Sequence, residues 1–71
     1  MKKYYIDLRT CDEQEHNRIM ELLDSLAWDI YLIANVPKVY EFMWDHNESV
    51  KEIAGLPSEL ISAYPPYNIQ F

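Results

Sequence analysis

The chain has 71 residues, 49% apolar and 14% aromatic, with a formal net charge of −6. That length holds one domain, and that apolar content excludes a disordered chain. Twelve acidic against six basic side chains argue against a protein that grips a phosphate backbone, which needs clustered Lys and Arg.

Residues 3–9 alternate, with Tyr4, Ile6 and Leu8 on one side and Tyr5, Asp7 and Arg9 on the other, which predicts a half-buried strand. Thr10 with Glu13 three places on reads as a capping box opening a helix. Asp12, Glu13 and Glu15 enrich its first turn, as the helix dipole prefers, and Ile19, Leu22, Leu23 and Leu26 follow as its apolar stripe. Residues 28–34 predict a second strand, with Trp28, Ile30 and Leu32 opposed to Asp29, Tyr31 and Ile33. Asn35 to Lys38 is a turn, since Asn and Pro both favour one. Residues 39–45 predict a third strand that closes a hairpin with the second.

A short second helix is expected next. Asn47 or Ser49 can cap it, Ser49 with Glu52 has capping-box spacing, and Val50, Ile53 and Ala54 supply its apolar side. Gly55, the only glycine, and Pro57 end it. Residues 58–64 are read as a fourth strand, the alternative being a helical turn opened by Pro57. Pro65-Pro66 stops regular structure, and residues 67–71 are a loose tail or a last edge strand. The resulting expectation is an α+β domain over residues 1–71, a ferredoxin-like split βαβ in the order βαββαβ, with a four-stranded antiparallel sheet and two helices on one face.

Burying a carboxylate is costly, so Tyr40, Phe42 and Trp44 are assigned to the core and Glu41 and Asp45 to water. The open sheet face then carries Tyr5, Asp7, Arg9, Asp29, Tyr31, Ile33, Val39, Glu41 and Met43, a mixed acidic and apolar surface suited to a protein partner or a homodimer. Base stacking on Tyr5 and Tyr31 is conceivable in such a fold, but Asp7, Asp29 and Glu41 would repel the backbone. Direct nucleic-acid binding is therefore not expected.

Residues that could carry chemistry are few. Cys11, the single cysteine, can form no disulfide within the chain and has acidic neighbours that oppose thiolate formation. His16 and His46 stand among scattered carboxylates, short of the three or four ligands zinc takes. Serines 25, 49, 58 and 62 lack a triad motif, and one glycine cannot build a phosphate loop. A non-enzymatic protein without cofactor or metal is expected. No apolar stretch approaches bilayer-spanning length, so no membrane partner is expected and the cytoplasm is the expected location.

Along the first helix Glu13, Asn17, Glu21 and Asp24 form one acidic stripe that only Arg18 offsets nearby. Four residues of helix advance about 6 Å, roughly the spacing of charges on a nucleic-acid strand. A phage-type inhibitor that imitates phosphates could be built this way, although a solvated helix face is the ordinary meaning of such a run.

The stretch Phe42-Met43-Trp44-Asp45, then Ser49-Val50-Lys51, then Ala54 through Tyr64 resembles the same region in peptidase inhibitors of the subtilisin-propeptide fold. The likeness covers about half of the chain, and Glu41-Phe42 stands where that family usually has Gly-Phe. The resemblance implies an extended C-terminal tail that enters a protease cleft. By position that tail is residues 64–71, with Tyr64, Tyr67 and Phe71 as contacts. The reading that follows is a small acidic inhibitor docking on a macromolecular target. Its partner-binding candidates are Glu13, Glu21, Asp24, Tyr5, Tyr31, Met43, Tyr64, Tyr67 and Phe71. A regulatory module that dimerises through the sheet is the alternative.

Overall fold

Alternation of side chains along Lys2–Asp7 produces strand β1, whose Ile6 is fully buried while Lys2 and Lys3 stay in water. The computed structural model describes residues 2–33 and 36–66. Leu8 extends the inward row, and the chain then turns, with the Cys11 N–H donating to the Leu8 carbonyl at 3.1 Å. Helix α1 spans Glu13–Leu26. Its cap is Asp12 and not Thr10: the Asp12 carboxylate accepts the Glu15 N–H at 2.8 Å. The Thr10–Cys11 turn occupies the residues that the expected capping box needed, so the same three-residue spacing is used two positions later.

The end of α1 is closed from both sides. The Ala27 N–H reaches back to the Leu23 carbonyl at 2.7 Å, and His46 Nε2 lies 2.7 Å from the Leu26 carbonyl, the geometry of a side-chain donor satisfying an orphan helix-terminal acceptor. His46 thus acts as a helix-end partner, with its ring edge-on to Trp44 at 4.7 Å between centroids.

Strand β2 is Trp28–Leu32, β3 is Val39–Trp44, and β4 is the two residues Ile61–Ser62. The sheet has the order β2-β3-β1-β4, and every neighbouring pair is antiparallel. Its centre is β1 on β3, six residue pairs from Lys2 opposite Trp44 to Asp7 opposite Val39. One face of this ladder presents Ile6, Leu8, Phe42, Trp44 and Ile61 to Ile19 and Leu23 of α1, forming the core. Phe42 packs edge-on to Trp44, and the Trp44 indole N–H donates to the Glu48 carbonyl at 2.9 Å.

Four further expectations require correction. The second helix is absent as an α-helix: residues after β3 make two single 3-10 turns, Val50–Glu52 and Ser58–Leu60. Ser49 does cap the first of these, its hydroxyl accepting from the Lys51 N–H at 3.3 Å. Gly55 and Pro57 follow too soon for a second turn to form. The fourth strand shrinks from 58–64 to Ile61–Ser62, because the 3-10 turn after Pro57 consumes its first half.

The other two corrections concern the faces of the sheet. Val39 and Ile33, expected on the wet face, are buried. Trp28 does not share a face with Ile30 and Leu32. Four residues of β2, Trp28 to Tyr31, stand against only three of β3, Met43 to Glu41, so β2 carries an extra residue there. Asp29 lies inside that irregularity with φ 51°, a conformation Asp tolerates better than most residues. A one-residue insertion reverses the alternation on one side of it.

Gly55 turns the chain between the two 3-10 segments at φ 93°. A Cβ there would sit 3.0 Å from Leu22 Cδ2 of α1, and the Gly55 carbonyl accepts Arg18 Nη1–H at 3.0 Å. Both backbone strain and crowding oppose a side chain. Gly55→Ala is expected to lower the free energy of unfolding by about 1 kcal/mol or more, measured by urea denaturation at matched slope.

Candidate functional site

The bulge at Asp29 organises the face of the sheet opposite α1. Trp28 stands opposite Met43, which is opposite Lys3; Tyr31 stands opposite Glu41, which is opposite Tyr5. Directly opposed residues of antiparallel strands project to the same side. The result is two cross-strand rows that place Trp28, Tyr31, Met43 and Tyr5 on one surface. Trp28 is 58% exposed and Tyr31 60%. A third row, Asp7, Val39 and Ile33, lies further along, its β3–β2 link being the Ile33 N–H to Val39 carbonyl bond at 3.0 Å.

The cations of this face are engaged by its own acids. Lys3 Nζ lies 3.6 Å from Glu41 Oε1. Arg9 forks onto Asp7, Nε to Oδ1 at 2.9 Å and Nη2 to Oδ2 at 2.6 Å, and its backbone N–H adds a third bond to Oδ1 at 3.1 Å. The side-chain bonds from Arg9 are the main reason the Asp7 carboxyl is held below the usual carboxylate range, with partial burial opposing them. They also raise the Arg9 guanidinium.

On the helix side Glu13, Asn17, Glu21 and Asp24 are all exposed, as the stripe requires. Arg18 points away from that stripe: it pairs with the Glu15 carboxylate and donates to the Gly55 carbonyl. Its bonds to Glu15 hold that carboxyl low. Glu21 and Asp24 therefore have no ion pair among the described residues. With Asn17 they line an open groove whose floor is Met20, Ile30 and Tyr40, with Leu32 at its lip. Leu32, at the outer edge of β2, is 59% exposed.

The candidates thus separate into places. Tyr5, Tyr31 and Met43 come together on the sheet face. Glu21 and Asp24 face β2 across the groove, and Glu13 sits a turn or more away. Tyr64, 77% exposed, lies beyond β4 at the opposite edge of the sheet. Tyr67 and Phe71 lie outside the described residues. Trp28, Ile30, Leu32 and Met20 were missed as binding candidates. Asp29, a residue at ease with positive φ, was the one sequence signal for the bulge that exposes Trp28.

The candidate chemical groups do not converge. His16 Nε2 bonds the Tyr40 hydroxyl at 2.7 Å near the start of α1, whereas His46 sits under its last carbonyl, about 15 Å away along the axis by helix rise. Cys11 is half-buried against the core. Among the described residues, no three His, Cys, Asp or Glu side chains are placed to hold a metal ion, and no helix is long and apolar enough to cross a membrane.

A carboxyl whose folded value is depressed adds stability that is complete above its unfolded value and disappears as pH falls through the folded one. Acidification through about pH 4 and below is therefore expected to lower the melting temperature. Asp7→Asn, which removes the titrating carboxyl, should lose less on acidification than the parent chain, as followed by circular dichroism. Comparison with protein-family models, with curated proteins and with solved structures gives no match for this chain.

Proposed function

We propose that the chain is a small non-enzymatic binding protein that acts as an inhibitor by covering a site on a protein target. The observation that carries this reading is the pair Trp28 and Tyr31, brought side by side on an exposed face by the bulge at Asp29 and flanked by Met43 and Tyr5. Large aromatics dominate the binding energy of protein interfaces. Isolated exposed aromatics are ordinary, but two on adjoining rows of a rigid sheet form a pre-organised patch. The acidic balance of the chain favours a target with a basic surface.

The fold supporting this patch is proposed to be a split βαβ of ferredoxin-like type with its second helix reduced to two 3-10 turns. The order β2-β3-β1-β4 and the single crossover helix support that assignment. The protease-tail reading rests on the sequence resemblance, and most of the tail falls outside the described residues. The phosphate-imitating reading is favoured by one observation: Arg18 is committed to Glu15 and Gly55, leaving the acidic stripe unneutralised.

Capture of partners by the immobilised chain, compared with its Trp28→Ser/Tyr31→Ser variant, tests the proposal. The variant should melt as the parent does and bind the captured target at least about 30-fold more weakly, since one interface anchor contributes about 2 kcal/mol. Equal retention by parent and variant, or a parent that elutes at twice its mass and captures nothing, would overturn it. The second of those results would favour the dimerising module.

A further inference from the structure

We infer that the groove between α1 and the outer edge of β2 receives an extended, basic segment of the protein partner, added to the sheet as a strand beside β2. The inference rests on the reading of the chain as a binding protein and names the chemistry of what it binds.

Strand β2 is an edge of the sheet, bonded to β3 on one side only. The Ile33 N–H points inward to the Val39 carbonyl. Alternation then turns the backbone groups of Leu32 outward, where they can pair with an incoming chain. Strand addition takes its affinity from such main-chain bonds and its selectivity from pockets for alternate side chains. The groove supplies that pocket, with Met20 and Ile30 in its apolar floor and Leu32 at its lip. Among the described residues its rim side chains Glu21 and Asp24 are the only charged ones that line it, both negative and both without an ion pair. An occupant that alternates apolar and basic side chains meets the floor with one set and the rim with the other.

The same charges argue against other occupants. A nucleic-acid strand would be repelled by this rim. A second copy of the chain, pairing β2 with β2, would bring its own Asp29 and a net charge of −6 to an acidic edge. The bulge at Asp29 breaks the regular edge, so the added strand pairs only with the residues beyond it. With so few main-chain bonds available, charge and groove must contribute much of the affinity. Binding should therefore weaken as salt rises.

The test uses a fluorescein-labelled peptide of alternating Lys and Val, titrated with the full chain and read by anisotropy, with amide shifts mapped by heteronuclear NMR. The peptide should bind, shift Met20, Glu21, Asp24 and Leu32, and weaken with salt. Glu21→Lys/Asp24→Lys, two exposed changes that leave melting nearly unaltered, should weaken it at least about tenfold. The alternating Glu and Val peptide should not bind. A Lys-Val peptide N-methylated at every residue, which has no backbone N–H on either edge to donate to β2, should bind at least about tenfold more weakly.

Equal binding by the double-lysine variant, or equal binding of the N-methylated peptide, would overturn the inference. So would amide shifts confined to Trp28, Tyr31 and Tyr5. If the peptide fails to bind while target capture still depends on Trp28 and Tyr31, the groove assignment falls and the binding reading stands. If the peptide fills the groove while capture ignores those aromatics, the groove assignment stands and the sheet-face reading falls.

Discussion

The six-pair ladder between β1 and β3 is the constraint on which the molecule depends. It sets Ile6 beside Tyr40 and Tyr4 beside Phe42, so that beyond the exposed Lys2 one face of the two central strands is apolar. That strip is what α1 packs on, through Ile19 and Leu23. The edge strands are subordinate to it. Strand β4 adds two pairs to β1, and β2 follows β3 with a break in register. In a chain this short a single core supplies only a few kcal/mol of net stability, and this core is built on one continuous ladder.

The parts of the fold that were legible in the sequence share a cause. Tyr4, Ile6 and Leu8, and Tyr40, Phe42 and Trp44, alternate without defect, and α1 carries four aliphatic residues at helical spacing. Where one period runs unbroken, burial selects one structure. The illegible parts are those where two local preferences competed. Thr10 and Asp12 both had a glutamate three residues on, and the turn at Leu8–Cys11 decided for the later cap. Ser49 to Glu52 had a capping box but too little chain before Gly55 to propagate a helix, and nucleation without propagation leaves a single turn.

The candidate surface was half legible for the same reason. Tyr5, Tyr31 and Met43 follow from plain alternation. Trp28 does not, because a bulge is a property of how two strands are aligned, and Asp29, the one residue of the run suited to positive φ, hints at the bulge without fixing that alignment. Val39 and Ile33 were misassigned from the opposite side: the argument that kept Glu41 in water is sound for Glu41, which is only half-buried, but alternation says nothing about what else covers the same face further along. The groove could not be read at all, since it joins residues of α1 to residues of β2 and β3 that no periodicity relates.

The two tryptophans have come to occupy opposite environments, Trp44 in the core with its indole bonded to the Glu48 carbonyl and Trp28 largely in water on the sheet. The chain therefore holds a pair of intrinsic optical reporters with separate duties. A soluble quencher can reach one and is shut out from the other, so the red-emitting fraction follows events at the surface and the blue-emitting fraction follows integrity of the interior, without any label being attached.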